Sequence, residues 1–155
     1  MSHILSLLIA VCALLTVATA TASAVDSKTS PKVNVDQSGL ALQGFDPVAF
    51  FTQSQAVLGK ADQTATHAGA TYRFADAKNK ALFVAEPIKY VPQYGGFCAF
   101  GASKGQCFPI DISTWQVIAG KLYFNKSGEV RQKMDAETTK VIKEADMWWT
   151  DYIKG

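Results

Sequence analysis

Two short segments of alternating character, 64–74 and 115–124, each double back on an Ala-Gly dipeptide, and this constrains the fold more than any other feature of the chain. A glycine at such a point takes positive φ and closes a tight hairpin. Pairing across Ala68-Gly69 sets His67 opposite Ala70 and Ala65 opposite Tyr72, so Ala65, His67, Ala70, Tyr72 and Phe74 share one face. Pairing across Ala119-Gly120 gathers Trp115, Val117, Leu122 and Phe124 on another. Both faces need a cover. The C-terminal segment 135–153 supplies one, because Val141, Ala145, Trp148 and Tyr152 recur at helical spacing, supported by Ile142, Trp149 and Ile153. Asp76 is the expected N-cap of a further helix over Ala77–Ala85, with Ala81, Leu82 and Ala85 on one side and Pro87 limiting its end. Hairpins with two or three helices, and no regular strand-helix alternation, predict a single small α+β domain.

The first two dozen residues behave differently. Residues 4–22 carry no charged side chain and end in small residues, and Ala22-Ser23-Ala24 has the small-x-small form that a signal peptidase accepts. A signal peptide over 1–24 is therefore expected, although Met1-Ser2-His3 lacks the usual Lys or Arg. The Ala, Thr and Ser near its end favour cleavage over retention as an anchor. The polar stretch 25–38 reads as a flexible lead-in and 39–155 as the domain. The expected location is exported, periplasmic or extracellular, with no stable membrane insertion after cleavage. The 15 basic and 13 acidic residues nearly balance, and no long run of either sign offers a footprint for nucleic acid.

Removal of residues 1–24 leaves Cys98, Cys107 and one histidine, His67. Two cysteines in an oxidising compartment are first a candidate disulfide. Cys98 has a second reading. It follows Gly95-Gly96 and opens an apolar stretch, 97–102, which is expected to form a short helix; unpaired N–H groups in a first helical turn stabilise a thiolate. Cys98, Cys107 and His67 together would make a soft donor set suited to Cu(I) or zinc. Tyr90 and Tyr94 flank Pro92, and their hydroxyls need partners if buried, which makes them candidates to support a site or line a pocket shaped by Gly95 and Gly96. Trp115, Trp148 and Trp149 could also line a ligand pocket, but Trp115 and Trp148 fit apolar faces, and the core is the favoured reading for all three.

In these motifs the chain resembles the YHS-domain family, in the secreted variant with an extended C-terminal portion. The resemblance runs from Gly44-Phe45-Asp46-Pro47-Val48 through Gly69-Ala70-Thr71-Tyr72-Arg73-Phe74, then Asn79, Phe83, Pro87 and Lys89-Tyr90, into Pro92-Gln93-Tyr94-Gly95-Gly96-Phe97-Cys98-Ala99. It continues through Trp115 and Gly120-Lys121-Leu122-Tyr123 to Ala145-Asp146 and Trp148. Such a resemblance implies metal binding, copper included, through cysteines that shorter members carry after the Asp-Pro-Val motif and after the Tyr-x-Phe strand. This chain has Ala49 after the first and Ala75-Asp76-Ala77 after the second, so a metal site would have to be built on Cys98.

The leading expectation is thus an exported module that binds copper or zinc through Cys98, with His67 or Cys107 as a further ligand. The alternative is a structural or small-ligand-binding module with a Cys98-Cys107 disulfide, no metal, and a pocket at the Gly-Gly loop. An enzyme is the least favoured reading, because no nucleophile elbow, phosphate loop or HExxH motif is present and only a Cys98-His67 dyad would serve.

Overall fold

The computed structural model describes residues 32–155; the expected signal segment 1–24 lies outside them. Both Ala-Gly dipeptides close hairpins. Ala68 and Gly69 take φ of 49° and 79°, and Ala119 and Gly120 take 50° and 74°. Paired positive values match the right-handed twist of the flanking strands. Strand β1 (Lys60–His67) runs antiparallel to β2 (Ala70–Phe74), with His67 opposite Ala70 and Ala65 opposite Tyr72 as the alternation predicts. Strand β3 (Asp111–Ile118) pairs with β4 (Lys121–Asn125), Val117 lying opposite Leu122. The hairpins remain separate two-stranded sheets.

Around them, among the described residues, lie α1 (Ala49–Thr52), α2 (Ala77–Ala85), α3 (Pro87–Tyr90), α4 (Ala99–Ala102), α5 (Gly128–Ala136) and α6 (Thr138–Tyr152). The result is a single small α+β domain closed by a C-terminal helix. Among the described residues no helix is long and apolar enough to cross a membrane.

Strand β4 has two buried faces, and this organises the interior. Successive strand residues point to opposite sides. Leu122 and Phe124 therefore enter one core, with Phe50, Phe74 and Phe83, while Tyr123 enters a second with Tyr94, Met134, Val141 and Ala145. The expected common face of β3 and β4 is accordingly only part of the story: Leu122 is sealed, but Val117 opposite it is 37% exposed.

Two buried polar side chains tie the elements together. The Asp46 carboxylate is fully enclosed; Oδ1 accepts from the N–H groups of Val48 (2.8 Å) and Ala49 (3.3 Å). Its Oδ2 accepts from the Ala75 N–H (2.9 Å) and from Asn79 Nδ2 (2.7 Å). One side chain thus caps α1 and holds the exit of β2 against α2. Asn125 does the same for the second hairpin. Its backbone N–H donates to Thr114 Oγ1 (2.8 Å), its Oδ1 accepts from the Phe100 N–H (3.2 Å), and its Nδ2 faces Met134 Sδ at 3.3 Å.

Three local expectations change. Helix α2 is capped by Asp76 as predicted, through the Asn79 N–H at 2.8 Å, but Asn79 and Phe83 are its buried residues, whereas Ala81 and Ala85 are exposed. Asp46 draws Asn79 inward and so rotates the face. The segment 135–153 is not one helix: Glu137, at φ −136° and ψ 37°, separates α5 from α6. Finally, residues 32–38 of the expected lead-in are tied down. The Asn34 N–H donates to Gly95 O at 2.8 Å, and Val35 forms an isolated antiparallel bridge with Ala41.

Asp46→Asn would turn an amide NH₂ toward groups that are themselves donors. The expected loss is about 3 kcal/mol in urea unfolding, the scale for a buried charge-assisted network left partly unsatisfied. A loss below about 1 kcal/mol, the net worth of one ordinary hydrogen bond, would contradict that role.

Candidate ligand-binding cleft

The cleft begins with an uncommon piece of backbone. Tyr94 (φ 54°, ψ 39°), Gly95 (φ 59°, ψ 18°) and Gly96 (φ 79°) are three consecutive left-handed residues in the turn Gln93–Gly96. Glycine takes this conformation readily, whereas for tyrosine it costs about 1–2 kcal/mol. The cost is offset by what Tyr94 reaches. Its ring is 3% exposed and lies 5.9 Å from Tyr123 and 6.1 Å from Trp149, between centroids. Its hydroxyl donates to Asp146 Oδ1 on α6 at 2.9 Å.

Gly95 is needed for a second reason: a Cβ there would run into the Lys32 carbonyl. The incoming chain crosses this spot. Asn34 Nδ2 donates to Gly96 O at 2.9 Å, and Lys32 Nζ donates to Ile153 O at 2.6 Å. Segment 32–34 thereby links the glycine turn to the end of α6.

Between these elements and the first hairpin opens a cleft of about 730 Å³. The hairpin contributes His67 and Tyr72, the turn and the residue before it contribute Tyr94, Gly95 and Pro92, and α6 and the residue after it contribute Asp146, Trp149 and Ile153. Lys32, Ile88 and Lys121 also line it. Burial pushes the Tyr72 hydroxyl up to about 12. Burial, reinforced by Asp146, raises that of Tyr94 still further above the usual phenol range. Both therefore remain protonated donors near neutral pH.

The structure distributes the sequence-derived candidates unevenly. His67, Tyr94 and Gly95 come together in the cleft. Gly96 is buried with Pro92 against it. Tyr90 belongs to the core instead, edge-on to Phe51 at 5.4 Å. Cys98 is fully buried. It precedes α4 as its N-cap, one residue before the helix rather than inside its first turn. Its Sγ accepts from the Gly101 N–H (3.3 Å) and donates to Asn125 Oδ1 (3.6 Å). Cys107 is half-buried, and both are free thiols, so the alternative disulfide is not formed. Among the described residues no group of three or more His, Cys, Asp or Glu side chains could hold a metal ion, so Cys98, Cys107 and His67 do not form such a set.

Sequence reasoning missed Lys121, Asp146 and Tyr72 and favoured the core over a pocket for Trp149. Asp146 and Trp149 stand three residues apart on α6, a spacing that puts both on one side of a helix. The Ala119-Gly120 turn puts Lys121 at the head of β4. Those signals were present.

Peptide-resolved alkylation checks the placement of the thiols. Burial raises the Cys107 thiol, with a hydrogen bond to Tyr152 partly opposing. Only the thiolate reacts, so its labelling rate should climb with pH to a midpoint above the ~8.5 of a free thiol. Cys98 should label only once the protein unfolds. Labelling of native Cys98 as fast as Cys107 would contradict the burial described.

Comparison with protein-family models, curated proteins and solved structures finds no match for this chain.

Proposed function

We propose that this protein is an exported binding module that takes up a small organic molecule in the cleft between the first hairpin, the Tyr94-Gly95-Gly96 turn and α6. The observation that carries the reading is the cleft itself. Its volume of about 730 Å³ falls in the range of small-molecule sites, roughly 300–1,000 Å³. Its lining has the composition of such sites, with aromatic and aliphatic surface and a few polar groups to fix orientation. Ile88 on its rim is 73% exposed and Ile153 40%, apolar surface that a ligand would cover.

A copper or zinc role remains the weaker proposal. Cys98 would have to leave Gly101 and Asn125 to meet a metal, which uncaps α4 and strands a polar group in the core. The soft donor set anticipated around it is not assembled among the described residues.

A fragment screen followed by amide chemical shifts tests the cleft. Binders should perturb Gln93, Gly95, Lys121 and Thr150 together. Ile88→Glu, on a residue the core can spare, should weaken them about tenfold, the effect of losing one buried aliphatic contact. Binders that shift none of these amides, or that ignore the substitution, would reject the site.

A further inference from the structure

The charges around the cleft narrow the ligand class, an inference that rests on the proposed binding role. Among the described residues three charged side chains line it: Lys32, Lys121 and Asp146. The carboxylate among them is engaged, since Asp146 Oδ1 accepts from the Tyr94 hydroxyl at 2.9 Å. The Lys32 ammonium is engaged as well, through Ile153 O at 2.6 Å. Lys121 differs. It is exposed at the head of β4, and none of the four ion pairs among the described residues includes it.

A lysine is a mobile point charge on an apolar stem, able to meet an anion while its methylenes cover hydrocarbon. The rest of the lining favours a flat apolar body. The half-buried Trp149 presents aromatic surface to the cleft beside the exposed aliphatic Ile88 and Ile153, whereas Tyr72 is only 2% exposed, and offset or edge-to-face contact of Trp149 with a ligand ring adds to simple area burial. The Tyr72 and Tyr94 hydroxyls stay protonated and add no competing negative charge.

We infer that the cleft takes small aromatic carboxylates, with Lys121 as the ionic anchor and Trp149, Ile88 and Ile153 as the apolar walls. A cation is disfavoured by the two ammonium groups. A neutral aromatic fits the walls but leaves Lys121 unanswered. No covalent step is involved; recognition is by charge and shape.

The test uses the full chain and three probes of one shape: 2-naphthoate, the neutral 2-naphthylmethanol and the cationic 2-naphthylmethylamine. Binding is read by titration with amide shifts. The acid should bind about fivefold more tightly than the alcohol, the upper range for an exposed ion pair, and the amine least well. Lys121→Gln should erase the advantage of the acid while leaving the alcohol unchanged, and Lys121→Arg should restore most of it. Added salt should shrink the difference. An alcohol or amine that binds as well as the acid overturns the carboxylate assignment alone, because the cleft would still be occupied. Equal weakening of acid and alcohol in Lys121→Gln also overturns it, as the loss would then be one of shape. If none of the three perturbs the cleft amides, the binding role and the inference fall together.

Discussion

The left-handed run Tyr94-Gly95-Gly96 is the constraint on which the candidate site depends. It sends the Tyr94 ring inward, where the hydroxyl fastens α6 through Asp146. It also leaves a side-chain-free surface at Gly95, over which segment 32–34 passes. The strained tyrosine holds the helix and the glycine admits segment 32–34, so one turn positions two walls of the cleft. The turn is in turn held from below. Pro92 and Cys98, on either side of it, form isolated parallel bridges with Leu122 and Phe124 of β4, and β4 is the strand with two buried faces.

This arrangement gives Cys98 a structural task. A thiol at the start of a short helix, fully enclosed, accepts from the Gly101 N–H of the first turn and donates to the Asn125 side-chain oxygen. The motif that carries the resemblance contains Cys98, but the groups that open to the cleft are on the other side of the turn. His67 reaches them from the first hairpin, with its ring edge-on to Phe83 at 6.2 Å. Asp46 likewise belongs to a conspicuous motif and acts as an internal tie rather than as a ligand.

What was legible in the sequence was local. Both hairpins, their registers and the apolar stripe of α6 follow from alternation, from helical spacing and from the glycines that take positive φ, all of which are set within ten or so residues. Helix α5 was obscured because only Val130 and Met134 of it are buried, amid charged neighbours. Its one clear signal was Ser127, whose hydroxyl accepts from the Val130 N–H. The polar hubs were not legible at all. Asp46 meets Asn79 across 33 residues and Asn125 meets Cys98 across 27, and no periodicity announces a hydrogen bond of that range. The convergence of His67, Lys121 and Trp149 is hidden for the same reason, since it depends on how three separately legible elements pack.

Whether a ligand sits in the space beside the glycine turn is open to direct observation. Intermolecular nuclear Overhauser effects from bound 2-naphthoate test it most directly. Cross-peaks from the ligand ring to the Trp149 indole and the Ile88 methyl groups are the predicted result. Cross-peaks confined to Trp115, or to aromatic protons away from the Tyr94 turn, would show that binding occurs elsewhere and contradict the account.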